Sequence, residues 1–135
     1  MLERLRAISS DGISRRKVAI SQARALRAIT EIPVPIDIDA LVERIPAVRL
    51  RYWRGLPHPA QLVHSATSWE IVIDPDLDPA ERTIAVIHEI KHIIDLPDRR
   101  TAVPCIPGEA PAPACRAFIT EMLGSNRTDP PGEPS

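Results

Sequence analysis

Aromatic side chains are almost missing from this chain: Tyr52, Trp53, Trp69 and Phe118 are the only ones in 135 residues. A core built on aromatic stacking is therefore excluded, and aliphatic side chains, above all Ile, must supply the packing. Cysteine is scarce too. Cys105 and Cys115 flank a Pro-rich stretch and lack C-x-x-C spacing, so neither a thioredoxin-like pair nor a zinc knuckle is indicated. A disulfide is open but not demanded, and two reduced thiols are the simpler expectation. No apolar run is long enough to span a bilayer, and Met-Leu-Glu-Arg-Leu-Arg at the start has no secretory apolar region. A cytoplasmic protein without a membrane partner is expected. Charge of one sign is also lacking, with a net of −1, so no global attraction to nucleic acid or anionic lipid operates.

What is present is a chain of single-domain length with an ordinary 44% apolar fraction. Residues 1–13 read as an N-terminal extension, 14–123 as one domain, and 124–135 as a disordered, Pro-rich tail with almost nothing to bury. Ser14 to Thr30 has helix formers and an apolar stripe through Val18, Ile20, Ala23 and Leu26. Arg15, Arg16, Lys17, Arg24 and Arg27 lie along it. With no interleaved aromatics and no helix-turn-helix pattern, they read as a solvated face, and direct nucleic-acid binding is not expected. Ile32-Pro-Val-Pro-Ile36 is extended, and Asp37 or Asp39 can cap a short helix ended by Pro46. Three strands follow, at Val48 to Trp53, Gln61 to Ser65 and Trp69 to Asp74. Residues 104–113 hold four prolines and cannot be a helix interior, and Ala114 to Leu123 forms a last short helix.

The chemistry is concentrated in His88-Glu-Ile-Lys-His92. Two histidines four apart on a helix stand one turn above each other, and both rings can reach one metal ion. Glu89 projects beside that ion, placed to take a proton from an attacking water and return it to a leaving amine. This H-E-x-x-H arrangement points to zinc-dependent peptide hydrolysis. Its context is helical: Asp78-Pro79-Ala80-Glu81 combines a cap, a first-turn proline and a first-turn acid, and Thr83 to Ile94 contains no Gly or Pro. The helix is apolar nearly all round and is expected to be buried. The order of elements gives an α+β domain, a small three-stranded antiparallel sheet packed on helices. His64, on the strand before the last, is a candidate transition-state donor, although a surface imidazole is the plainer reading.

From Ala28 to Leu123 the chain resembles the ImmA/IrrE-type metallopeptidases, small zincin-like proteins of bacteria and their mobile elements. The resemblance rests on Ile-Pro-Val-Pro-Ile-Asp-Ile-Asp, on Trp69-Glu-Ile-Val-Ile-Asp-Pro, and above all on Arg82-Thr-Ile-Ala-Val-Ile-His-Glu-Ile-Lys-His-Ile-Ile-Asp95. It implies a zincin-like fold, a bound Zn2+ and a cytosolic regulatory endopeptidase whose partner is a transcriptional repressor, often one with a helix-turn-helix. It also implies an acidic third ligand at the start of the last helix, and there this chain departs: the matching residue is Ala112. Substitutes rank as Glu109, then Asp95, then Glu121, with Cys115 behind them. Asp95 serves equally as a residue that orients a ligand histidine or caps the helix end. The departure supports an alternative, a catalytically degenerate zincin-like domain that binds a protein partner without cutting it.

Overall fold

Asp78 and Asp37 show how local chemistry sets the helix starts. In a computed structural model, which describes residues 1–8, 14–96 and 111–124, Asp78 accepts a hydrogen bond from the Ala80 amide at 3.2 Å. With Pro79 in the first turn, this opens α4 (Pro79–Asp95). Asp37 accepts from the amides of Asp39 and Ala40 and opens α3 (Ile38–Glu43). Ser14 accepts from the Lys17 amide and opens α2 (Arg15–Thr30), which stops at Glu31 in a left-handed conformation, φ 53°. The last helix, α5 (Pro113–Leu123), starts on Pro113 without a side-chain cap and ends on Gly124 at φ 75°. Residues 125–135, expected to be a disordered tail, lie outside the described residues.

The opening residues, expected as an N-terminal extension, carry a short helix of their own. Leu2–Arg6 forms α1, with Leu2 and Leu5 buried. Arg6 donates to the carbonyls of Ile93 at 2.9 Å and Ile94 at 3.2 Å. Those carbonyls belong to the last turn of α4, where no intrahelical partner exists, so α1 closes the end of the motif helix.

The domain is α+β, as expected, but the sheet is mixed and not antiparallel. β1 (Val48–Tyr52), β2 (Ala60–His64) and β3 (Trp69–Ile73) lie in the order β1-β3-β2. β3 runs parallel to β1 (Leu50 opposite Ile71) and antiparallel to β2 (Leu62 opposite Ile71). The physical reason is burial. Ile71, Val72 and Ile73 are all buried, which suits a central strand covered on both faces, whereas β1 and β2 alternate toward solvent. Residues 53–68, with β2 inside them, are long enough for the crossover that parallel pairing needs.

α4 packs on the sheet, on α1 and on α5, and α2 runs along α5. Leu26, Leu41, Ile45, Ile71, Ile87, Ile90, Ile93, Phe118 and Met122 belong to one core. The motif helix is less enclosed than its composition suggests. Its second half carries Val86, Ile87, Ile90, Ile93 and Ile94 inward, but Ile84 stays 39% exposed, and His88, Glu89 and His92 are half-buried. The motif thus sits on solid packing with one side open.

Candidate metal centre

His88 and His92 occupy successive turns of α4, and their Nε2 atoms are 3.1 Å apart. The ring centroids are 4.6 Å apart with the planes tilted by 38°. Tetrahedral zinc at usual Zn–N lengths separates two nitrogen ligands by roughly 3.3 Å. The pair is therefore already near the spacing of two ligands on one ion. Burial holds both rings neutral: the pKa of His88 is lowered to about 4, by burial first and then by His92. That of His92 is lowered by burial and then by the charge of Lys91. Neutral imidazole is the form that ligates.

The third donor comes from α5. Cys115 is fully buried, and its sulfur and the two imidazole nitrogens all lie within 4.8 Å of one another. His88, His92 and Cys115 form a group that could hold a metal ion. Two imidazoles and a thiolate suit a borderline-soft cation, and three protein donors leave one position open, the count of a catalytic rather than a structural zinc site. The sequence ranked Cys115 last, yet one signal favours it. Cys115 lies one turn before Phe118 and two before Met122, and all three are fully buried. This is the inward stripe of α5. Ala112, where the resemblance expects an acid, is the N-cap one turn earlier.

The other candidates have other tasks. Asp95 accepts from the Lys91 ammonium at 2.9 Å, and Lys91 also donates to Gln22 at 2.7 Å. That network lies beside the histidine pair on the same stretch of α4, Lys91 and Asp95 one turn apart and bonded to each other. Glu121 is paired with Arg24 at 3.1 Å. Glu109 lies outside the described residues, as does Cys105. His64 is exposed and stacks on Trp69, centroids 3.8 Å apart and planes within 7°. The two line a cleft with Arg6 and Thr67 that includes none of His88, Glu89 or His92.

Glu89 completes the arrangement chemically. Burial raises its carboxyl pKa from 4.5 to about 7. A carboxyl poised near neutrality can both take and return a proton at working pH, as a general base and acid requires. Comparison with family models, with curated proteins and with solved structures found no match to this chain. The chemistry must therefore be argued from these residues.

Proposed function

We propose that this protein is a zinc-dependent hydrolase that cleaves a peptide bond in a partner protein. The observation that carries the reading is the convergence of Cys115 from α5 on the His88–His92 pair of α4. Bound there, zinc lends Lewis acidity to a scissile carbonyl and to the attacking water. His88, His92 and Cys115 hold the ion, the thiol losing its proton as it ligates. Glu89, beside the pair and near neutral pKa, takes the proton from the nucleophile and delivers it to the departing nitrogen. The resemblance to ImmA/IrrE-type metallopeptidases makes the partner a transcriptional repressor and the setting the cytoplasm. No helix among the described residues is long and apolar enough to cross a membrane.

Zinc content and cobalt spectra test the site directly. Purified without chelator, the protein is expected to hold one zinc per chain, and His92→Ala, which removes a direct ligand, should hold far less. The Co2+ form should show a near-ultraviolet thiolate charge-transfer band that vanishes in Cys115→Ala. Zinc at the same level in wild type and His92→Ala would end the metalloenzyme reading. A band that persists without Cys115 would remove the thiol from the ligand set. Ala112, in place of an acid, favours a second reading, a partner-binding domain that cuts nothing. Glu89→Gln separates the two: the enzyme keeps its zinc and loses cleavage of the repressor, whereas the binding domain behaves as wild type in both.

A further inference from the structure

The two ends of the α2–α5 pair differ in how their arginines are satisfied. Toward the C-terminal ends, Arg24 reaches a Glu121 carboxylate oxygen at 3.1 Å, and Arg27 donates to the Glu121 carbonyl at 3.1 Å. Toward the N-terminal ends, Arg16 and Ile20 of α2 face Pro113, Arg116, Ala117 and Thr120 of α5 across a cleft of about 320 Å³. The helices therefore run in the same direction, and among the described residues the near end repeats the basic half of the far end without its acid.

Arg16 and Arg116 are exposed, and neither makes a side-chain hydrogen bond or ion pair among the described residues. Arg6, Arg24, Arg27, Arg44, Arg51 and Arg54 each reach an oxygen; Arg4, Arg15, Arg49 and Arg82, like Arg16 and Arg116, show no such bond among the described residues, and what sets Arg16 and Arg116 apart is that they face one cleft from two helices. The charge is also locally unfavourable. The first turn of α2 contains no acid but holds Arg15, Arg16 and Lys17, at the end where the helix dipole favours anions. The first turn of α5 contains no acid either. Departures from local rules without compensation among the described residues mark places where another group supplies it.

We infer that this cleft docks an acidic segment of a protein partner, one carboxylate between Arg16 and Arg116 and an adjacent apolar side chain against Ile20, Pro113 and Ala117. Guanidinium groups match carboxylates in geometry and charge, and the Thr120 hydroxyl adds a donor. The mixed walls decide the class of partner. A nucleic-acid backbone needs a broad basic surface, and this chain has a net charge of −1. A cleft of side-chain size with apolar flanks takes a peptide. Cys115 and Arg116 are successive residues, so the docked segment lies across α5 from the metal centre. That the segment belongs to a substrate rests on the peptidase reading; the docking itself does not.

The test uses the full chain, stripped of metal with EDTA so that catalysis plays no part. The probe is the blocked peptide Gly-Leu-Glu-Leu-Gly, compared with its Gln counterpart, inorganic phosphate and a short DNA duplex, each followed by amide NMR shifts. The Glu peptide should shift Ile20, Ala117 and Thr120 saturably, and the Gln peptide should bind about tenfold more weakly, the usual scale for one charge-assisted contact. Arg16→Ala and Arg116→Ala should each weaken the Glu peptide by a similar factor, while Arg49→Ala, an exposed arginine on β1, leaves it unchanged. Equal binding of the two peptides, phosphate binding as tightly as the Glu peptide, displacement of the peptide by DNA, or no saturable shift would each overturn the proposal. Zinc content and the cobalt band are unaffected by any of these outcomes, so the two readings fail separately.

Discussion

α4 carries two polar clusters side by side, and they handle burial in opposite ways. Lys91 is accommodated in the interior because Asp95 and Gln22 both accept from it, at 2.9 and 2.7 Å, with the Phe118 ring 5.9 Å away. His88, Glu89 and His92, on the half-buried side, are driven toward their neutral forms, the imidazoles downward in pKa and the carboxyl upward. A charge matched by fixed partners locks helices together. Groups held neutral by burial are ready to ligate or to exchange a proton. The same stretch of helix thus holds architecture and chemistry as neighbours, told apart by whether a buried group has a fixed partner.

The comparison predicts its largest effect at Lys91. Replacing it by Ala leaves the Asp95 carboxylate buried without its ammonium, and should cost about 3–5 kcal/mol by urea denaturation. Lys91→Met together with Asp95→Leu should recover most of that, since an apolar pair of similar volume removes both charges. A double variant as unstable as the single one would show that the network does more than compensate itself. At the other cluster the expectation is reversed. His92→Ala should change the stability of the metal-free protein little, but it should abolish the gain from added zinc, about 2.7 kcal/mol at a hundredfold excess over Kd. Stabilisation by zinc that survives the substitution would place the ion elsewhere.

The pH dependence of the metal-free protein divides the second cluster further. The folded-state pKa of His88 is about 4, below the ordinary 6.5. The unfolded chain therefore takes the proton first, and stability falls as pH drops from 6.5 to 4. Glu89 is the opposite case, about 7 against an ordinary 4.5. The unfolded chain loses its proton first, and stability falls as pH rises from 4.5 through 7. Between pH 4.5 and 6.5 the Glu89 slope opposes those of His88 and His92, so the wild-type curve should rise less steeply than the histidines alone would make it. Glu89→Gln removes one slope. Its stability should climb with pH over that interval and exceed wild type at pH 8 by on the order of 1–3 kcal/mol. Parallel curves for the two proteins would show that Glu89 is not held neutral by burial.

Much of this division is legible in the sequence, and the gaps have physical causes. The Asp78–Pro79 start and the four-residue histidine spacing place α4 and the histidine pair, because both are local and depend on backbone periodicity. Strand pairing is not local. Alternation marked the three strands, but the clue to their order was the run Ile71-Val72-Ile73, which breaks alternation and makes β3 central. Cys115 was hidden by chemistry, not position. The resemblance puts an acid at Ala112, while the stripe shared with Phe118 points a thiol inward one turn later. The Lys91 network involves Gln22, 69 residues away, and no periodicity announces such a contact.

The smallest expected effect sets the baseline for both clusters. Arg54 and Asp76 form an ion pair at 2.8 Å, as short as the Lys91–Asp95 contact, but their side chains are 74% and 60% exposed. Water solvates both groups before and after the pair breaks, so Coulomb attraction is weak and side-chain ordering offsets part of it. Arg54→Ala should therefore cost less than about 1 kcal/mol, and 0.5 M salt should erase most of the difference by screening. Lys91→Ala should keep its full cost in the same salt, since a buried pair is screened far less. Equal salt sensitivity of the two variants would mean that water reaches Lys91, and the interior cluster would then no longer stand apart from a surface pair.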